Sequence, residues 1–293
     1  MINIIGHLAA LLVVTVWGTT FVSSKVLLNS GLMPADIFVC RFVMAYCCML
    51  LMSHKKLWAD NMKDELTLFG LGIMGGALYF LTENMALIYS TTANVSILVS
   101  TCPLITALLL AIFYKSERLS RVQILGSLIA FIGAALVILN GQLLLHLNPL
   151  GDTLALSAAT TWGFYSLFMR RIMSQYSSDF ITRKVFFYGV ITIIPYFIFV
   201  HPFGMKAEHL HSPLLMGNLL FLGIVASTGG YLLWNWVMKR LGAMRSTNYL
   251  YSQSIITMIA GSLILGEHIT WMAIAGTFVL ICGMALAQKK RKS

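Results

Sequence analysis

Long apolar runs separated by short basic connections dominate this chain and leave it few ways to fold. A helix rises about 1.5 Å per residue, so roughly 20 apolar residues cross the ~30 Å of a bilayer's hydrocarbon. Ten runs approach that length: 7–28, 36–53, 66–88, 94–114, 122–140, 150–171, 184–200, 214–236, 248–265 and 271–288. Inside hydrocarbon every backbone N–H and C=O must find its partner within the protein, so each run is expected to be a helix. Composition agrees: 58% of the 293 residues are hydrophobic and 10% charged, too little charge to clothe a soluble surface. The expected class is therefore an all-α integral membrane protein with ten transmembrane helices. The first run lacks a basic start and an A-x-A site, so it reads as a span and not as a signal peptide.

A net charge of +10 invites a nucleic-acid partner, but its placement argues for topology. Basic residues gather in alternate connections: Lys55, Lys56 and Lys63; Lys115, Arg118 and Arg121; Arg170, Arg171, Arg183 and Lys184; Lys239, Arg240 and Arg245; and the tail Lys289, Lys290, Arg291 and Lys292. Those are 17 of the 20 Lys and Arg residues; Lys25, Arg41 and Lys206 fall towards the other side. The excess of basic residues on cytoplasmic loops then places both termini in the cytoplasm. Five cysteines lie within apolar runs with no C-x-x-C pair, so they read as small hydrophobes with no zinc site or disulfide framework. No cofactor is expected.

The chain repeats itself. Trp17-Gly18 recurs as Trp162-Gly163, 145 residues on. Asn84 matches Asn235, Glu117 matches Glu267, Gly126 matches Gly276 and Gly133 matches Gly283. Two five-helix copies follow, 1–141 and 150–288, with 289–293 as a basic cytoplasmic tail. Five is odd, so the second copy enters the membrane from the opposite side. Inverted repeats of this kind build many secondary transporters, with the substrate near the midplane between the halves.

The segment from Ala86 to Ile138, with its second copy ending LILGEHITWMAIAGTFVLICGMALA, resembles the hallmark stretch of the drug/metabolite transporter superfamily, EamA type. Lys115-Ser116-Glu117 stands where a Gly-Glu is usual, and Ser254 or Gln253 where a proline is usual. The resemblance implies a ten-helix exporter of amino acids or other small metabolites. It also implies a central cavity lined by the first, third, fourth, sixth, eighth and ninth helices, with the fifth and tenth packed outside.

Helical spacing picks out candidate substrate contacts. Trp17, Thr20, Phe21 and Ser24 share one face of the first helix, and Trp162, Tyr165, Ser166 and Met169 repeat that face in the sixth. The third helix aligns Gly72, Gly76, Tyr79 and Glu83. Glu83 is the one carboxylate well inside an expected span, where an ionisable group is costly and marks function by default. It can carry a proton as coupling ion, meet a substrate amine, or be neutralised by Lys25 or Arg41. Ser100 in the fourth helix, Tyr231 and Trp234 in the eighth, and Asn248, Tyr251 and Ser252 in the ninth complete the candidate set. Each has a plainer reading as helix packing or interhelical hydrogen bonding. Gly126 with Gly133 and Gly276 with Gly283, seven apart, mark packing helices. Ser120-x-x-Gln123 reads as a capping box, and Thr270 as an N-cap.

Other matches are refused. GLGIMG at 70–75 satisfies G-x-G-x-x-G but lies inside an apolar run with no preceding strand. No phosphate-binding G-x-x-x-x-G-K-[S/T] occurs. The expected function is secondary export of small metabolites, amino acids or their relatives, across a bacterial inner membrane. Its partners are a small-molecule substrate, the lipid bilayer and protons, with no nucleic acid; no feature sets an oligomeric state. Drug-like cations or nucleobases suit the same aromatic walls. An integral-membrane enzyme would need several convergent His, Asp or Glu residues, and the chain supplies one such Glu. A non-transporting membrane subunit would use the same helices without flux.

Overall fold

The computed structural model describes residues 2–90, 92–114, 120–139, 148–265 and 269–287. The Glu117–Glu267 match, Lys115, Arg118 and the tail 289–293 lie outside them, as does the side chain of Asn94. Every regular element among the described residues is helical. In order they are α1 Ile2–Asn29, α2 Pro34–Met52, α3 Met62–Gly72, α4 Leu78–Tyr89, α5 Thr92–Val99, α6 Cys102–Phe113, α7 Arg121–Leu139 and α8 Pro149–Ile172. Then follow α9 Ser178–Phe199, α10 Ala207–His211, α11 Pro213–Leu220, α12 Gly230–Leu241, α13 Ala243–Thr247, α14 Gln253–Leu265 and α15 Trp271–Ala287. A π-helical turn, Ile73–Ala77, joins α3 to α4, and another, Phe221–Gly229, joins α11 to α12. A 3₁₀ turn, Asn248–Ser252, joins α13 to α14.

Among the described residues seven stretches are long and apolar enough to cross a membrane: Ile4–Asn29, Pro34–Met52, Met62–Tyr89, Val95–Phe113, Arg121–Leu139, Ser178–Phe199 and Pro213–Leu241. The other three expected runs are helical but of different character. α8 carries Asp152, Arg170, Arg171 and a row of Ser and Thr. The run from Ala243 to Leu265 is interrupted by the 3₁₀ turn, and α15 is apolar but has 17 residues. Large apolar side chains lie exposed around the bundle, Leu12, Ile112, Leu263 and Phe278 among them. So much uncovered hydrocarbon on several helices is the surface a lipid-embedded protein presents. This is a multi-pass membrane protein.

Helices of residues 2–139 pack extensively on helices of 149–287: α1 on α12 and α14, α2 on α9, α4 and α6 on α8. The central cavity lies along that seam. α7 and α15 instead pack on one another along their length. A methyl added at Gly276 would lie 2.8 Å from Val137 N and 2.9 Å from Gly133 O, so the backbones meet at van der Waals range. The two helix starts are capped as expected. Ser120 N donates to Gln123 Oε1 (3.0 Å) and Gln123 N to Ser120 Oγ (3.3 Å), while Ala273 N donates to Thr270 Oγ1 (3.4 Å).

One placement differs from the sequence reading. Arg183 and Lys184, expected at the edge of a solvated connection, lie in the first two turns of α9 and are buried. Arg183 donates to the carbonyls of Ser53, Lys56 and Leu57, and Lys184 pairs with Glu65, which also accepts from Tyr188 Oη and Ala59 N. Tyr176 Oη donates to Asp64 (3.0 Å) and accepts from Asp60 N (2.9 Å). These bonds fasten the 53–61 connection to α9 and to the turn before it. A buried charge that loses its partner is left uncompensated, which typically costs ~3–5 kcal/mol. Lys184→Met should therefore lower the stability of the purified protein by about 3 kcal/mol, the low end because Glu65 is partly exposed. The double change Lys184→Met with Glu65→Leu should restore much of it. The thermal unfolding midpoint in detergent reads both, and a Lys184→Met midpoint equal to wild type would mean the pair contributes nothing.

Candidate functional site: an aromatic cavity between the halves

Three helix interruptions build the site. Ser100 and Thr101 lie between α5 and α6, where Pro103 cannot donate a backbone hydrogen bond. The two π turns each insert an extra residue into their helix, which leaves backbone carbonyls open to side chains. Trp17 Nε1 donates to Ala226 O (2.9 Å) in the second π turn, and Tyr231 Oη donates to Gly75 O (2.5 Å) in the first. Trp17 sits edge-on to Trp162 at 5.4 Å between centroids, and lies 5.6 Å from Tyr231 and 5.2 Å from Trp234. Such aromatic contacts contribute ~0.5–1.5 kcal/mol each beyond area burial.

These rings line a cavity in which about 40 Å³ admits the centre of a water molecule. That is room for only a few waters. A larger solute requires the walls to part.

The candidate residues divide into two groups. Trp17, Thr20, Tyr79, Glu83, Ser100, Trp162 and Tyr231 all line the cavity. Tyr79 Oη donates to Glu83 Oε1 (2.7 Å). Thr20 and Ser100 turn their hydroxyls to the carbonyls of Trp17 (2.7 Å) and Ser96 (2.8 Å). Tyr165, Trp234, Asn248, Tyr251 and Ser252 do not reach the cavity wall. Tyr165 is fully buried and donates to Asn235, whose Nδ2 donates to Thr182 Oγ1 (2.9 Å). Trp234 packs behind Trp17. Tyr251 turns away to pack with Ala130, Ala134 and Leu280 on the α7–α15 pair, and Ser252 Oγ donates to Tyr249 O (2.5 Å). In the 3₁₀ turn residues three apart eclipse one another. Leu250, within that turn, and Gln253, the first residue of α14, take the cavity face.

The lining also includes Arg41, from α2, a helix outside the expected set of six. Arg41 is buried, its Nε donates to Ser227 Oγ (2.9 Å), and its guanidinium lies 4.2 Å above the ring of Phe80. Glu83 forms no ion pair among the described residues. Lys25 donates instead to Leu87 O (3.2 Å). Neither Lys25 nor Arg41 closes on Glu83 as an ion pair, although Arg41 lies near enough to interact with it electrostatically.

A family model described as the EamA-like transporter family matches the chain twice, over residues 4–139 and 149–288. The chain belongs to that family. An uncharacterized transporter of Archaeoglobus fulgidus is 26% identical over 96% of this chain and 97% of its own length. A protein of Salmonella typhimurium named as a probable amino-acid metabolite efflux pump is 29% identical, covering 94% and 92%. A solved crystal structure superposes with a TM-score of 0.76 at 16% identity, over 97% of this chain and 96% of the other, and so shares the fold. With the cavity and the apolar belt, these matches make the chain a membrane transporter and not an enzyme.

Proposed function

We propose that this EamA-family chain is a ten-span secondary transporter of the bacterial inner membrane with both termini in the cytoplasm. It exports small metabolites, amino acids or close relatives, by alternating access between inverted halves, 1–141 and 150–288. The seven lining candidates contact the substrate. Tyr165, Trp234, Asn248, Tyr251 and Ser252 hold the wall from behind. The name of the Salmonella relative supports the substrate class.

One observation carries the mechanism. Trp17 and Trp162 are repeat-mates, and so are Ala226 and Gly75, which share the 151-residue offset of Asn235 from Asn84. Trp17 N–H bonds the carbonyl of Ala226. The equivalent acceptor for Trp162, Gly75 O, is occupied by Tyr231, and Trp162 Nε1, though buried, has no partner among the described residues. The halves thus hold one arrangement in two different states, as alternating access demands. In the opposite-facing state Trp162 takes Gly75 O and Trp17 releases Ala226.

Tyr231→Phe tests this. It removes the competitor for Gly75 O, a hydrogen bond with a net value of ~0.5–1.5 kcal/mol, and should shift the two-state ratio about 2- to 12-fold towards the opposite-facing state. Cys102 lines the cavity and reports access once Cys40, Cys47, Cys48 and Cys282 are replaced by alanine. Membrane-impermeant thiol reagents should label it from both sides during exchange, with the ratio changed in Tyr231→Phe. Labelling from one side under all conditions would remove alternating access. Proton coupling would run through Glu83: Glu83→Gln should lose uptake driven by a pH gradient, and gradient-driven uptake unchanged in that variant takes the proton out of the scheme.

A further inference from the structure

Arg41 and Glu83 are the charged members of the cavity lining. Both are buried, one is a base and the other an acid, and among the described residues no ion pair joins them. Buried opposite charges normally close on each other, because each alone is costly to desolvate. Here each is held back by its own support. Phe80 stacks under the Arg41 guanidinium and Ser227 takes its Nε; among the described residues its two Nη groups have no acceptor. Tyr79 fixes one oxygen of Glu83 by donating to Oε1. A planar guanidinium anchored at Nε presents its Nη edge as a fork matched to a carboxylate. A carboxylate with one oxygen engaged keeps lone pairs for an ammonium.

Resting on the transporter reading above, we propose that Arg41 and Glu83 form a split ion pair that reads the two ends of a zwitterion. Arg41 takes the carboxylate of an α-amino acid and Glu83 its ammonium. The two side chains sum to zero charge, which suits a solute of zero net charge. A lone organic cation would leave Arg41 uncompensated beside it, and a lone anion would do the same to Glu83. The remaining wall, made chiefly of Trp17, Trp162, Tyr231 and Leu250, faces the side chain and suits an apolar or aromatic one. Arg41 is thereby assigned as a specificity residue that helix counting alone places outside the site.

The test uses three probes of one skeleton in proteoliposomes: leucine, 3-methylbutylamine, which lacks the carboxylate, and 4-methylvalerate, which lacks the ammonium. Wild type should exchange leucine at least tenfold faster than either single-charge analogue. Arg41→Gln should lower leucine exchange at least tenfold while sparing or raising that of the amine; Glu83→Gln should do the reverse, favouring the acid. Arg41→Lys should recover part of the leucine rate. A merely structural role for the pair would lower all three probes together, and that outcome overturns the proposal. Should either variant fail to fold, the wild-type panel still decides. Preference for the amine or the acid over leucine overturns the split pair and leaves the transporter reading standing. Exchange of none of the three by folded, inserted protein overturns the split pair, and a positive signal from a wider metabolite mixture then keeps the transporter reading alone.

Discussion

Trp17→Ala should abolish substrate exchange and lower the protein's stability by about 3–5 kcal/mol, the cost of truncating a large buried aromatic side chain. The indole is 7% exposed, so nearly all of its surface is packed. It contacts Trp162, Tyr231 and Trp234 and bonds Ala226, linking α1 to α8, to α12 and to the second π turn. Alanine would remove the whole set and enlarge a cavity that admits few waters. Trp17→Phe separates packing from bonding: it keeps a ring and loses the N–H, so stability should fall by ~1 kcal/mol and exchange should persist with a changed state ratio. Unfolding midpoints and exchange rates of the two variants check this. Trp17→Ala exchanging at the wild-type rate would take the aromatic wall out of the binding site.

Gly276→Leu should also destabilise the protein strongly, by a different route. Any side chain there enters the backbone of α7 at Val137 and Gly133, and backbone cannot swing aside as a rotamer can. Overpacking of this kind costs ~1–3 kcal/mol, and the top of that range is expected with backbone on both sides. The measured outcome should be loss of most of the monodisperse protein on size exclusion. α7 and α15 contribute nothing to the cavity lining. Molecules that do fold should therefore exchange at the wild-type rate per molecule. A folded variant with altered substrate preference would mean that this outer pair takes part in recognition.

Much of this architecture is legible in the sequence because hydrocarbon forces it. Apolar runs have to be helical, and Gly276 and Gly283 repeat the spacing of Gly126 and Gly133 because two helices meet there without side chains between them. Trp17 and Trp162 announce the cavity through their repetition. What the sequence hides depends on helical phase. Tyr251 and Ser252 share a plausible stripe with Asn248 that runs on to Gln253, but only Gln253 of these reaches the cavity, and the 3₁₀ turn gives the other place to Leu250. Gly75 and Gly76, like Gly229 and Gly230, hint at irregular backbone without revealing that each π turn exposes a carbonyl. Arg41, with Asp36 one of two charges in an otherwise apolar α2, reads as a residue near the outer end of its helix. Only the fold shows it reaching Ser227 and Phe80 at the cavity. Arg183 and Lys184 follow the charge rule for loops, yet α9 begins early enough to bury them.

Counterflow in proteoliposomes tests the central claim most directly. Purified protein would be reconstituted, the vesicles loaded with a mixture of amino acids, nucleobases and polyamines, and exchange read by mass spectrometry. The account predicts selective, saturable exchange of neutral amino acids, lost in Trp17→Ala. Absence of exchange across the whole mixture, with protein shown to be folded and inserted, would contradict it.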